Sequence, residues 1–261
     1  MSIFRNVCPF LAFAVVFLAA CARTSHVENP APSLDADRPD FTESPETVPP
    51  GSIQAEGGYT FSSDEGSTSH SIGELLIRIP AGERAEARLG LNSYAIEHAS
   101  GSVVRGFEDI EIGAKIKLIE HEERSAVPNV SVLVLSTLPT GHRGIGSSVM
   151  QPGGKLALGW RLTDRLSVES NANYFYASEN GTRFSQWEGS ASLGVEISPR
   201  LGSFLEWFGT SPVALGAGRA DYLNVGAGMG FGSSLKLDAR VGTNVRSTRD
   251  YFVGFGVSRR W

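Results

Sequence analysis

Lys155-Leu156-Ala157-Leu158-Gly159-Trp160-Arg161-Leu162 places Leu or Trp at every even position and a small or charged residue at every odd one. A two-residue period sends one set to each face of a β-strand. The alternation recurs at Leu166/Val168/Ala172/Tyr174, at Ala191/Leu193/Val195/Ile197 and at Leu235/Leu237/Ala239/Val241, and the intervening positions carry full charges such as Glu169, Glu196, Lys236, Asp238 and Arg240. A soluble sandwich or lipocalin-like barrel also alternates. Runs of about ten residues with a charged second face instead suit strands that cross a bilayer at a tilt. The predicted fold is all-β, an antiparallel up-and-down transmembrane β-barrel behind an extended N-terminal leader.

Outward from that stretch, about twelve strand-like runs follow Gly51, an even number as single-chain bacterial barrels require. Their approximate spans are 52–62, 71–80, 84–97, 107–119, 128–138, 153–162, 166–177, 186–197, 203–210, 221–231, 235–244 and 251–261. Connections at 81–83, 163–165, 198–202 and 232–234 read as tight, and those at 63–70, 98–106, 139–152, 178–185, 211–220 and 245–250 as longer and Gly-rich or polar. Short periplasmic turns and longer outer loops predict a bacterial outer-membrane location with both termini periplasmic. Only the connection from Glu120 to Val127 is long for its side.

Residues 1–20 read as a signal peptide: Arg5 is its one charge, and the apolar run from Phe10 to Ala20 is too short for a membrane helix. Two cleavage points fit. Leu18-Ala19-Ala20-Cys21 has the form of a lipobox, which would make Cys21 the lipidated first residue, whereas Ala20-Cys21-Ala22 obeys the A-x-A rule of ordinary signal peptidase. The lipobox better explains a cysteine at that place. Cys8 lies within the signal, so the mature chain keeps Cys21 at most, with no intramolecular disulfide or thiolate metal site. A net charge of −5 and a pI near 5.6 leave no basic footprint for nucleic acid. The mean hydropathy of −0.08 excludes helical spans but not a barrel, half of whose strand residues are polar. Residues 21–50, with Pro30, Pro32, Pro39, Pro45, Pro49 and Pro50, form an extended segment between signal and barrel (51–261).

The stretch Asp37-Arg38-Pro39-Asp40-Phe41-Thr42-Glu43-Ser44, then Val48-Pro49-Pro50-Gly51, then Gln54-Ala55-Glu56-Gly57-Gly58, resembles the start of the outer-membrane transporter family named for the MetA pathway of phenol degradation. That resemblance implies a barrel that passes small, aromatic or apolar organic molecules. A lipobox departs from the usual member. Arg38, Asp40 and Glu43 sit on Pro-punctuated chain that cannot be a membrane strand. Two readings stand for 37–51: a solvated periplasmic leader, or a plug at the barrel mouth or in its lumen.

By strand parity the lumen receives Glu74, Arg78, Glu86, Arg88, Glu111, Lys115, Lys117, Lys155, Arg161, Glu169, Glu188, Glu196, Glu206, Lys236, Asp238, Arg240 and Arg260. Mixed signs make either a space-filling network of ion pairs or a charged solute path. Gly226, Gly228 and Gly230 would leave one wall bare, and Trp160, Tyr174, Tyr176, Trp187, Trp207, Tyr222, Tyr251 and Trp261 supply candidates for the interfacial aromatic girdle. An outer-membrane lipid hydrolase would need Ser and His together. His98 with Ser100 or Ser102 and His142 with Ser147 or Ser148 are the nearby pairs, both in expected loops, while His121 among Glu120, Glu122 and Glu123 reads as a solvated turn. The expectation is a channel or transporter and not an enzyme, needing no cofactor or metal, whose partners are outer-membrane lipid, the barrel-assembly machinery and a small-molecule solute. A non-conducting structural or surface-interaction barrel is the second reading, and a lipid-modifying enzyme the third.

Overall fold

A computed structural model describes residues 34–121, 125–179 and 181–261. Cys21 and the signal segment lie outside these, as do Glu122 and Glu123. The strands are β1 (Gln54–Asp64), β2 (Ser67–Pro80), β3 (Ala85–Ala99), β4 (Ser102–Phe107), β5 (Glu111–Ile119), β6 (Asn129–Thr137), β7 (Gln151–Arg161), β8 (Leu166–Glu179), β9 (Thr182–Ser198), β10 (Leu201–Ser211), β11 (Ala220–Phe231), β12 (Leu235–Asn244) and β13 (Ser247–Arg260). All neighbours pair antiparallel, and β13 returns to β1 from Gln54↔Arg260 to Ser63↔Tyr251. The sheet is therefore a closed barrel. β4 lies against residues 94–99 of β3 and β5 against residues 85–90, so the thirteen segments fill twelve places.

The two faces have the polarity expected of a barrel in lipid. Glu56, Arg78, Glu86, Lys115 and Glu206 point inward and are at most 1% exposed, while Val134, Leu205 and Phe255 point outward at 64%, 56% and 58% exposure. Leaving such a belt in water forfeits roughly 25 cal/mol per Å² of apolar surface, so hydrocarbon is the medium this face suits. Closure follows from the same medium, because an unpaired strand edge in lipid has no water to satisfy it.

The connections depart from the expected alternation of length. β1 runs to Asp64 and β2 starts at Ser67, β3 ends at Ala99 and β4 starts at Ser102, and β12 ends at Asn244 with β13 starting at Ser247. Stretches that read as long loops are the ends of hairpins, and among the described residues of that rim only 138–150 and 212–219 are extended. On the opposite rim the connection 120–128 is long for its side, as the sequence indicates. One band of irregularity crosses β1, β2 and β3. Register shifts occur between Glu56 and Gly58 and between Ile72 and Leu76, where Glu74 has φ 42° and Asn92, opposite Leu75, has φ 49°. A bulge adds one residue to a strand and re-aims its side chain. Here it turns Glu74 toward the lumen.

Candidate functional site

The residues from Leu34 to Val48 run through the lumen without regular secondary structure, yet Leu34, Ala36, Asp37, Thr42, Glu43, Ser44 and Val48 are all buried. A Pro-rich strand would leave backbone groups unpaired. The barrel wall supplies partners instead. Glu206 of β10 accepts hydrogen bonds from the amides of Phe41 and Thr42, at 3.0 and 2.7 Å, and from Thr42 Oγ1 at 2.6 Å. Asn171 of β8 accepts from the Glu43 amide at 2.7 Å and donates back to its carbonyl at 2.9 Å. Glu86 of β3 accepts from the Val48 amide at 2.8 Å, and Ser131 Oγ of β6 donates to the Pro45 carbonyl.

Charge fixes the register of this segment. Asp37 sits 2.7 Å from Arg88, 3.4 Å from Arg78 and 3.3 Å from Lys115, on β3, β2 and β5. Glu56 and Glu86 hold the same arginines from the wall side, Glu56 at 3.1 Å from Arg78 and Glu86 at 2.9 Å from each. Glu43 bridges Arg88 at 3.2 Å and Lys155 at 2.5 Å. Arg38 pairs with Glu74 and lies 3.5 Å from Asp238, and its amide donates to Glu56 at 3.1 Å. Its guanidinium occupies the space that side chains at Gly58 and Gly256 would fill, so those two glycines make its slot.

Burial pushes the Asp37 carboxyl up, but Arg78, Lys115 and Arg88 outweigh it and hold the group well below the usual carboxylate range. Glu43 is balanced the same way by Arg88 and Lys155 and lies at about 2. Asp40 goes the other way. Burial, with Glu206 and Glu169 nearby, raises its carboxyl well above the usual range, and Lys236 only partly opposes them.

The expected mouth contacts therefore meet the lumen charges: Arg38 meets Glu74 and Asp238, and Glu43 meets Arg88 and Lys155. Asp40 receives a long contact from Ser192 Oγ, at 3.4 Å. Lys236 Nζ donates to the Arg38 carbonyl at 3.3 Å, and Arg240 to Thr60 Oγ1 at 3.1 Å. Glu111 and Glu169 share the inward face and are half-buried, whereas Arg161 and Glu196 have inward parity but are exposed at the rim. Parity reasoning missed Asp37, which has the most cationic partners of the segment, because nothing in a Pro-rich run has a face to assign. Glu56 was missed too, although the alternation Gln54/Glu56/Gly58 marked it.

Two expectations are corrected here. The glycine wall of β11 is not bare, since the Phe204 ring lies over Gly226 and the Lys236 chain over Gly228. Tyr222 is not a girdle residue but points inward. It stacks on Phe208 at 5.0 Å between ring centroids, Phe208 stacks on Phe41 at 4.5 Å, and Phe252 closes the group at 6.1 Å from both Phe208 and Tyr222. The lumen thus has a charged wall on β1, β2, β3, β5 and β7 and an aromatic wall on β10, β11 and β13, the second bordered by the inward charges Glu206, Lys236, Asp238 and Arg240. Of the histidine and serine pairs, His142 Nδ1 faces the Arg143 carbonyl at 2.9 Å while the Ser147 amide is given to Asp109, and the His98 ring meets His70.

Two solved structures resemble this barrel. The COG4313 outer membrane channel from Pseudomonas putida F1 aligns with a TM-score of 0.66 at 14% identity, over 83% of this chain and 97% of its own. The KdgM porin in complex with disordered oligogalacturonate aligns at 0.52 and 14%, over 80% and 98%. These identities speak for the fold. No curated protein matches the sequence. The profile of the family described as "Putative MetA-pathway of phenol degradation" matches residues 36–261, which takes in the lumen segment from Ala36 onward and every strand, and the chain belongs to that family.

Proposed function

We propose that the protein is an outer-membrane channel for small organic molecules bearing an aromatic ring, closed in this state by its own residues 34–48. The observation that carries the reading is the stack of Phe41 on Phe208 and Tyr222, in which the segment supplies one ring of the aromatic wall. An aromatic pair contributes about 0.5–1.5 kcal/mol beyond its buried area. A solute ring can replace Phe41 at the same place while its polar group meets the charged wall opposite. Movement of the segment is then coupled to solute by competition for one surface, as any two ligands of one site are coupled.

The filled lumen also favours a second reading, a barrel that conducts nothing and serves as a structural or surface element. Uptake of small phenols and aromatic carboxylates into liposomes holding the full mature protein separates the two. Swelling in wild type that is at least several-fold faster with Glu206→Ala, which releases the Phe41 and Thr42 amides, supports a channel. No uptake by either protein supports the structural barrel. The long-connection rim faces outward in this reading and both termini face the periplasm.

A further inference from the structure

We infer that Arg219, Arg246 and Asp221 form a docking site on the outward face of the barrel for the phosphate of a lipid headgroup. Asp221 stands opposite Gly209 in the β10–β11 ladder, next to the pair Trp207↔Leu223. Leu205 and Leu223 are exposed on this face, which places Asp221 with the lipid-facing residues and not in the lumen. A carboxylate there is out of place unless it is paired. It receives Nε and Nη2 of Arg219 at 2.9 and 2.5 Å on one oxygen and Nη2 of Arg246 at 3.3 Å on the other. Gly209 is what lets it lie flat, since a Cβ there would come within 2.8 Å of Asp221 Oδ1.

The result is a buried carboxylate that holds two exposed guanidiniums side by side. The Asp221 side chain is 6% exposed, those of Arg219 and Arg246 49% and 67%. Each guanidinium has five N–H groups, so both keep donors directed to the outside after serving Asp221. One negative charge against two positive leaves a net positive site. Two adjacent forks fit a phosphate dianion. Position supplies the lipid: the Arg219 guanidinium lies 5.6 Å from the Trp207 ring, a girdle residue, and the exposed Leu205 and Leu223 continue the same face toward the membrane interior. Rings at headgroup level with cations above and aliphatic surface below match a phosphorylated lipid from head to chain.

This rests on the barrel lying in an outer membrane with this rim outward, but not on conduction, so the test is made apart from uptake. Native mass spectrometry of the detergent-solubilised full-length protein would count retained lipid A, with phosphorylated and enzymatically dephosphorylated lipid A as probes. Wild type should retain the phosphorylated form at least about tenfold better, and Arg219→Gln/Arg246→Gln should remove that preference. Arg165→Gln/Arg200→Gln, at the opposite rim, should keep it. Heat-modifiable migration on gels would verify folding, and the comparison of two lipids on wild type needs no variant. Equal retention of the two lipids by wild type overturns the site, as does equal loss from both double variants. Protection of Arg219 by inorganic phosphate without retention of the lipid overturns the lipid assignment.

Discussion

At the scale of single residues, the lumen is held by a few charges whose removal has unequal consequences. Asp37→Asn leaves Arg78, Arg88 and Lys115 facing one another across a buried space, offset by Glu56, Glu86 and a Glu43 that Arg88 shares with Lys155. Breaking a buried pair by deleting one partner typically costs about 3–5 kcal/mol, because the other charge stays buried. The expected outcome is an undocked segment, read as protease cleavage within 34–50 while the barrel stays resistant. Outward and inward faces respond differently to a new charge. Leu158→Arg meets lipid and should cost roughly 2–4 kcal/mol near the midplane. Ala157→Arg meets a filled lumen, since Ala157 is 0% exposed, so it too should destabilise the barrel by displacing the segment. Urea unfolding of both variants in detergent, with protease mapping of the segment, would tell the two routes apart. Parity assigned these faces correctly but said nothing of how full the inner one is. Fullness depends on which chain occupies the lumen, and alternation within a strand carries no information about that.

At the scale of elements, the place where the wall is least regular is rebuilt by side chains. β4 has a ladder with β3 alone, and the connection 138–150 folds back to serve its free edge and the break before β5. The His142 amide donates to the Phe107 carbonyl at 2.8 Å, and Asp109 in the break accepts the amides of Thr140, Gly141 and Ser147 at 3.1, 2.7 and 2.7 Å. A hydrogen bond to a charged acceptor contributes about 1.5–3 kcal/mol. Asp109→Ala should therefore speed amide exchange at 140–147 by at least tenfold and leave β6 and β7 unchanged, as hydrogen-exchange mass spectrometry would show. Protection unchanged at those amides would mean that the turn holds itself. The strand count and most spans were readable because lipid on one side and water on the other enforce a two-residue period. Where hairpins such as 60–71 and 95–106 reach toward the rim, the period fades among polar residues and glycine, and the chain reads as loop. The split of one stave into β4 and β5 was hidden for the same reason.

At the scale of the whole molecule, docking of residues 34–48 ties the charged and aromatic walls together, and its dependence on pH has a definite sign. Asp37 and Glu43 are held below their ordinary values of 3.8 and 4.5, Glu43 at about 2. Their contribution to docking is therefore present above the ordinary carboxylate range and is lost as pH falls toward the docked values. Asp40 is raised well above 3.8 by burial and by Glu206 and Glu169. Its charged form opposes docking, so lowering the pH from neutral relieves that opposition before the other two carboxylates are protonated. Docking should then be firmest in mildly acid solution, weaken toward neutral pH and fail in strong acid. A spin label or fluorophore at Thr47, half-buried at the end of the segment, would follow its mobility across the range. Asp40→Asn should flatten the neutral side of that profile and leave the acid side in place, whereas Glu43→Gln should reduce the acid-side loss and leave the neutral side. A profile that falls steadily from neutral to acid, unaltered by Asp40→Asn, would show that Asp40 stays charged in the lumen. Either its burial is then relieved by water beside the segment, or Lys236 sets its charge more strongly than Glu206 and Glu169 do.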